Sequence, residues 1–553
     1  MKKILLLVGF VIFTNTVTKA QCTTETSEEK VLLIGDSWAY FMHFDKTFNN
    51  VFAKWGHSNY KYYSNSTLAV NGAETDDFLL PAKQNEIQTQ LTNKPSIKLV
   101  HISLAGNDFL GSWNTGYTPA RLDSLQDTVN TRLLSIINFV KGIRPDIHVI
   151  ISGYVYSNFE EVITTSAFPT SHPFYNRWQA MGAPSNLVLN NLLNRFSDTL
   201  ELRVANDPRI TFVKATSLMQ YAFGQITPLG VAPSGTYAAK TAPLPKGFTN
   251  YPSPKITMRN YGLFNDCFHL SIDGYKQFIN YQTQKFYHKA LMDDYFVRSE
   301  GGNKDGSISS TGVASNTLLL AGNSGVVNTT ALSFNTITMK DTSIARASIF
   351  LRRSALTGSN TVTASTLVEV KIKKGKFGSL PDVEATDITA PASATQTVCI
   401  YGSYTNNEDW LRIDLSPTLI AQLSNDTITQ FLITMTNSNG GLIEYSNASN
   451  PEFAPVLNVK YGIPSTVGLT DLSKSDLEFN VFPNPVNDFV ELHFSANEKR
   501  EISIVNLLGN QLHAETTTVN NVIVNTDALA SGIYFITVKT ANGKTSTKKI
   551  IKN

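Results

Sequence analysis

Four short segments carry side chains that together could run one acyl-transfer reaction. The first is Gly35-Asp36-Ser37, which ends an unbroken apolar run at 31–34. A strand that turns sharply on glycine into a helix leaves the turn residue at the edge of a parallel sheet. There the helix's N–H groups and positive dipole are directed toward it. A serine in that position can be a nucleophile whose developing oxyanion meets backbone donors. The same residues also read as a plain helix start capped by Asp36 or Ser37. The second segment is Asp266-Cys267-Phe268-His269. Three apart on a turn, Asp266 can hold the inner imidazole nitrogen of His269 while the outer one faces a serine. His269 would then take the Ser37 proton as general base and return it to the leaving alcohol. Asp266 would fix the tautomer and stabilise the imidazolium. Alone, the pair is equally a helix cap beside a packed histidine.

The third segment, Ala105-Gly106-Asn107-Asp108, follows a strand, which puts Asn107 on the same rim as Ser37. Its amide can donate to a carbonyl oxygen gaining charge, an interaction worth about 3–4 kcal/mol. The fourth contains Gly72, expected to open a helix and to offer an unobstructed N–H. Each of these two is also an ordinary turn residue. It is their order along the chain, each at a strand-to-helix turn or loop, that makes the set coherent.

The elements that must position these residues alternate strand and helix from 28 to about 298. Strands are expected at 31–34, 97–104, 147–152 and 210–213. Helices are expected after Trp38, near 119–142, near 184–204 and from 271 to 296. The helix near 119–142 places Leu122, Leu125, Val129, Leu133, Ile136 and Val140 on one face at spacings of three and four. Alternation of this kind implies a parallel sheet covered on both faces, with chemistry beyond the C-terminal ends of its strands. Segment 216–262 is long, rich in Pro, Gly and Thr and without periodicity, as expected of a functional loop beside the site.

On these residues, 28–297 resembles the SGNH (GDSL-like) hydrolases, whose Ser, Gly, Asn and His are matched by Ser37, Gly72, Asn107 and His269. The resemblance implies a three-layer α/β/α flavodoxin-like sandwich and a Ser37–His269–Asp266 triad. It also implies an oxyanion hole from the N–H groups of Ser37 and Gly72 and the Asn107 amide. Ala105 stands where the family's third block usually has glycine, a change expected to alter packing slightly without loss of activity. Trp38 replaces the more usual leucine after the nucleophile, where it is a candidate wall for an acyl pocket as well as an ordinary core residue.

The chain has 553 residues, enough for about three domains, and 42% of them are apolar. Only 16% are charged and the net charge is +2, so neither nucleic acid nor an anionic membrane is implied as a partner. Residues 1–20 have the basic start, apolar segment and small cleavage residues of a signal peptide. The apolar run is too short to span a bilayer, and no other stretch reaches that length. Gln21 stands where a lipoprotein signal needs a small residue, so Cys22 is not read as a lipid anchor. Three cysteines make no disulfide framework. Cys22–Cys267 is the foremost pairing, while the odd count favours free buried thiols. No metal-binding set, phosphate loop or dinucleotide fingerprint occurs, so no cofactor and no metal is expected.

The hydrolase segment is assigned to 21–300. At 300–306 the composition turns to Gly, Asn and Lys, a linker signal, and 301–462 reads as a β-sandwich of jelly-roll type with one short helix at 417–424. Residues 347–352 and 443–461 resemble DNRLRE/CBM96-like modules of secreted carbohydrate-active proteins, which implies a carbohydrate-binding module; a spacer is the alternative. After a linker at 463–475, residues 476–553 resemble the C-terminal sorting domain of type IX (Por) secretion. The match is carried by Val481-Phe482-Pro483-Asn484-Pro485, Asn506-Leu507-Leu508-Gly509, Leu529-Ala530-Ser531-Gly532-Ile533-Tyr534 and the ending Lys548-Lys549-Ile550-Ile551. It implies a small β-sandwich, the type IX machinery as partner, and a secreted or surface-attached protein. The expected function is a secreted serine esterase acting through acyl-Ser37, with O-acetyl groups of extracellular polysaccharide as substrate. The alternatives are a lipase or lysophospholipase and an inactive cell-surface glycan-binding protein.

Overall fold

The computed structural model describes residues 26–553 apart from 324, 360–361, 364–365, 404, 436–440, 463–478, 507–509 and 542–544. The expected signal peptide and the linker at 463–475 lie outside the described residues. The chain forms two compact units, 1–463 and 464–553.

The first unit is built on five strands: β1 (Glu28–Gly35), β2 (Tyr60–Tyr63), β3 (Leu99–Ser103), β4 (His148–Ser152) and β5 (Ile210–Val213). They lie in the order β2-β1-β3-β4-β5, and every pairing is parallel. The helices are α1 (Ser37–Phe44), α2 (Thr47–Lys54), α3 (Pro81–Asn93), α4 (Gly106–Ser112), α5 (Pro119–Ile143), α6 (Phe159–Thr164), α7 (Tyr175–Ala180), α8 (Asn186–Val204), α9 (Leu218–Phe223) and α10 (Ile272–Gln282). The apolar run in β1 is unbroken because both faces of the sheet are covered. Val31 and Leu33 join a core with α1, α2 and α10, whereas Leu32 and Ile34 join one with α3, α5 and α8. The stripe read for α5 is the stripe it buries, with Val129, Leu133, Ile136 and Val140 in that second core.

From β1 the chain crosses outward to β2 and then back past β1 to β3, so the winding reverses between β1 and β3. In open parallel sheets this switch point is where a crevice forms beyond the strand ends. Residues 216–262 contain α9 and then irregular chain. Asn190 on α8 donates to the carbonyls of Thr249 and Tyr251, and Gln220 on α9 to those of Phe248 and Tyr251. This segment ends in an antiparallel hairpin of β6 (Met258–Tyr261) and β7 (Phe264–Leu270).

The expected helix over 271–296 is shorter. α10 ends at Gln282, widens into a π turn at Thr283–Tyr287 and resumes as one turn, His288–Ala290. Residues Tyr295–Arg298 then form β8, paired antiparallel with Val456–Tyr461 of the β-sandwich. The alternation of Tyr295 and Val297 toward the sandwich core explains why a strand wins there. Within the sandwich, Ile344–Gly358 pairs with Trp410–Asp414, Gly441–Tyr445 and Val456–Tyr461. Leu351, Val370, Ile413, Phe431 and Val459 lie in its core, and the short helix is Pro417–Ile420.

The sandwich is joined to the parallel-sheet region through a buried seam. Trp55 stacks on Trp410 with ring centroids 5.6 Å apart, and Arg412 donates to the Gly56 carbonyl at 3.1 Å and to Asn59 at 2.6 Å. Arg346 pairs with Asp293 at 2.9 Å. Gly56 has φ +79°, and a Cβ there would lie 2.9 Å from the Phe350 ring. Cys267 is a buried free thiol, so the Cys22–Cys267 pairing does not form.

The second unit contains two antiparallel sheets. Phe479–Phe482, Phe489–Phe494 and Asn521–Asn525 form one; Arg500–Asn506, Gln511–Thr517, Gly532–Thr540 and Thr545–Lys552 form the other. Val490, Leu492, Ile502, Ile504, Ile536 and Val538 fill the space between them. No helix among the described residues is long and apolar enough to cross a membrane.

Candidate active site

Ser37 is the first residue of α1. Its place beyond β1 depends on Gly35, which has φ +148° and whose Cβ would meet the Ser103 carbonyl at 1.8 Å. Only glycine lets β1 close on β3 there. Asp36 caps the helix, its Oδ1 accepting from the Trp38 N–H at 2.9 Å, as the capping alternative requires. Capping by Asp36 is therefore compatible with the place expected for Ser37 at the helix start. Ser37 is 2% exposed and its N–H, at the helix start, has no acceptor within α1.

His269 reaches Ser37 from a bulge, not a simple turn. Between the pairs Asn260–Asn265 and Met258–Leu270, β6 advances two residues and β7 five, so 266–269 stand out of the ladder. Such bulges re-aim side chains. Asp266 is wholly buried. Its Oδ1 accepts from the N–H groups of Phe268 and His269, both at 2.7 Å. Its Oδ2 accepts from His269 Nδ1 at 2.8 Å, and His269 Nε2 lies 2.7 Å from Ser37 Oγ. A carboxylate only accepts, so the proton sits on Nδ1 and leaves Nε2 to accept from the serine hydroxyl. The His269 ring lies between Phe41 and Phe174, at centroid distances of 4.9 and 6.3 Å. The hairpin is held against α1 by Arg259, which pairs with Asp45 at 3.0 Å and lies over Phe41. Its tip leaves Leu263 85% exposed.

Asn107 lies in the first turn of α4, beyond β3. Its Nδ2 donates to the Ala73 carbonyl at 2.9 Å, which ties it to the loop carrying Gly72 and orients its second amide hydrogen. That loop runs alongside the end of β1: Gly35 donates to the Leu68 carbonyl and Val70 to the Gly35 carbonyl. Gly72 opens no helix. It is in a turn with φ +81° and open space where a Cβ would stand.

Ala105 has φ +109°, a conformation that a side chain makes unfavourable. The glycine-to-alanine departure thus strains the backbone, a cost beyond the packing difference expected. Trp38 is not among the residues that line the apolar cavity near the site. It is fully buried among Tyr154, Tyr275 and Phe278 at centroid distances of 5.1–5.3 Å.

Sequence reasoning missed Tyr154. It follows β4 on the same rim and is buried, a setting in which a tyrosine hydroxyl needs a partner. That position was the available signal. The hydroxyl donates to Asp36 and accepts from the Gly106 N–H at 2.8 Å. Burial pushes the Asp36 carboxyl up to about 6, partly offset by the bonds from Tyr154 and Trp38. Beside these residues an apolar cavity opens between α4, α8 and the segment near Met181. Among the described residues no group of three or more His, Cys, Asp or Glu side chains is arranged to hold a metal ion.

Residues 31–281 match the sequence model of GDSL-like lipases and acylhydrolases, and residues 480–553 that of the secretion system C-terminal sorting domain. Among solved structures, a GDSL-like lipase from Bacteroides thetaiotaomicron is 16% identical. The match covers 47% of this chain and 89% of that one, with a TM-score of 0.26. A lipase from a goat rumen metagenome is 12% identical over 35% of this chain and 82% of its own, with a TM-score of 0.24. No curated protein matches the chain.

Proposed function

From the premise that residues 31–281 are a GDSL-like lipase/acylhydrolase domain, we propose that the protein hydrolyses carboxylic esters through an acyl-Ser37 intermediate. The observation that carries this reading is the continuous chain Ser37 Oγ–His269 Nε2 at 2.7 Å and His269 Nδ1–Asp266 Oδ2 at 2.8 Å. Ser37 Oγ bonds to the ester carbonyl carbon as His269 Nε2 takes its proton. The carbonyl electrons move onto oxygen, and the N–H groups of Ser37 and Gly72 and the free hydrogen of the Asn107 amide donate hydrogen bonds to that oxyanion. Collapse expels the alcohol, which leaves with the proton from His269. Water, deprotonated by the same nitrogen, then releases the acid and restores the serine.

The sorting domain at 480–553 supports action outside the cell, with type IX secretion as the route and its machinery as the partner. For the substrate, O-acetyl groups on an extracellular polysaccharide are supported by the β-sandwich fused rigidly to the hydrolase, whose likeness to carbohydrate-binding modules rests on sequence. A lipid acyl ester is favoured by the exposed Leu263 on the hairpin that carries His269 and by the apolar cavity beside the site. The test is Ser37→Ala. Hydrolysis of p-nitrophenyl acetate should fall at least about 1,000-fold, and equal rates in mutant and wild type would remove Ser37 from the mechanism.

A further inference from the structure

Two adjoining cavities form one groove where α10 faces the sandwich. Their volumes are about 390 and 610 Å³, and they share Phe223, Gln277 and Asn280. The long wall is the outer face of α10 and the turn after it. Asp273, Gln277, Asn280 and Gln284 recur there at spacings of four, three and four, which makes one polar stripe, while Tyr275, Phe278 and Ile279 turn to the core. The stripe spans about 16 Å, and it starts four residues after His269. The facing wall comes from the sandwich, with Arg352, Phe453 and the turn that carries Asn406 and Glu408.

Both walls are held in place. The Ser403 N–H donates to the Ala53 carbonyl at the end of α2 at 2.9 Å. Asp409 accepts from the Ser403 hydroxyl at 2.7 Å and from the Asn406 N–H at 2.9 Å. Asn280 accepts from the Trp55 indole N–H at 2.9 Å, which leaves its NH2 group to donate. Lys240 and Glu408, one lining residue from each side, have φ +67° and +73°. Such left-handed values are strained for residues other than glycine and gather at ligand sites.

The lining selects among ligands. Glu408 lies 3.4 Å from Arg352 and 4.0 Å from Lys54, and Asp273 lies 3.6 Å from Lys276. A strongly charged ligand would have to break these pairs. Side-chain amides match groups that both donate and accept, as sugar hydroxyls do. Phe223 and Phe453 add aromatic carbon that the C–H face of a sugar ring can cover. A hydrocarbon chain would bury the amides unpaired. An extended peptide takes its main-chain hydrogen bonds from an open strand edge, and here the long wall is a helix.

We propose that this groove binds a neutral carbohydrate chain, laid along α10 between the sandwich and the end of the hydrolase domain that carries His269. The site is shared by both domains and is not contained in the sandwich alone. It rests on the polysaccharide reading of the substrate, and as a binding step it is independent of Ser37.

The test is affinity electrophoresis of the full-length protein through gels containing xylan, glucomannan or galactan, with polygalacturonate as the anionic control. At least one neutral polysaccharide should retard wild type. Gln277→Ala combined with Gln284→Ala should weaken that binding about tenfold, through loss of two hydrogen bonds, with the denaturation midpoint unchanged. A second readout needs no variant to fold: the retarding polysaccharide should shield Lys240 and Lys276 from an amine-labelling reagent, while Lys83 on α3 is labelled equally with and without it. Lack of retardation by every neutral polysaccharide, retardation by polygalacturonate alone, undiminished binding in the double variant, or unshielded lysines each overturn the carbohydrate groove. Shielding by unfolded casein in place of polysaccharide assigns the groove to a peptide and overturns it too. Hydrolysis of p-nitrophenyl acetate by the same preparation is scored separately, because its absence beside intact polysaccharide binding overturns only the ester-hydrolase reading.

Discussion

Two regions of the first unit are built around histidine, and only one of them is arranged for chemistry. At the strand ends, His269 has a buried carboxylate on one nitrogen and a serine on the other, with its side chain 12% exposed. At the seam with the β-sandwich, His57 Nε2 faces His288 Nδ1 at 3.1 Å. Around that pair lie the rings of Trp55, Trp410 and Phe350, and Arg412 and Arg346 lie near His57. Burial, with the nearby Arg412, pushes the His57 imidazole down to about 3 and burial carries His288 well below its ordinary value. A histidine shut away with another histidine and cations, its nearest carboxylate Asp293 already paired with Arg346, stays uncharged and serves packing. One beside a carboxylate and open on its far side can cycle a proton. The residue type is shared; the partner and the access decide the role.

The sharpest way to break this contrast is Asp266→Asn. It keeps an acceptor for the Phe268 and His269 N–H groups but removes the anionic partner of Nδ1, so kcat should fall by about 1,000- to 10,000-fold with little change in unfolding midpoint. Trp410→Ala should do the reverse. Emptying the seam beside Trp55 and His288 should cost about 3–5 kcal/mol in chemical denaturation, while kcat of the folded enzyme stays within a few-fold.

The third test is pH. The seam histidines have depressed folded values, so their contribution is present above about 6.5 and is lost as pH falls toward 3. Asp36 has a raised folded value, so its contribution is present below 3.8 and is lost as pH rises through about 6, an effect of ~3 kcal/mol. Between pH 4 and 6 the two regions therefore pull stability in opposite directions. Denaturation midpoints of Asp36→Asn should rise more steeply with pH than those of wild type, and those of His57→Phe less steeply; parallel curves would remove the assignment. The smallest effect is expected from Ala105→Gly. Relief at φ +109° should raise stability by about 1 kcal/mol, reduced by the added freedom of the unfolded chain.

Much of the candidate active site is legible in the amino-acid sequence because its signals are local. The apolar run before Gly35 requires a doubly covered strand, and the stripe on α5 requires a core-facing helix. Asp266 and His269 are near neighbours in sequence, so their contact needs only a short bulge. What escapes such reading depends on partners far along the chain. Tyr154 gains meaning only when Asp36 and Gly106 are seen against it. The turn at Gly72 has a local bond from the Ala73 N–H to the Val70 carbonyl, but its place beside the site is set by Asn107 and the end of β1. Residues 283–296 read as helix on their own pattern, yet the π turn and β8 answer to the sandwich strand Val456–Tyr461. The seam is illegible for the same reason: Trp55 and Trp410 are ordinary apolar residues until the fold stacks them.

Only four residues lie between Ala290, the end of the last helical turn, and Tyr295, where β8 enters the sandwich ladder. The two domains thus share backbone hydrogen bonds where multidomain enzymes often have a tether. Anything the sandwich holds is carried at a set bearing from Ser37, so its local concentration at the serine is fixed by geometry and does not depend on the diffusion of a loose arm.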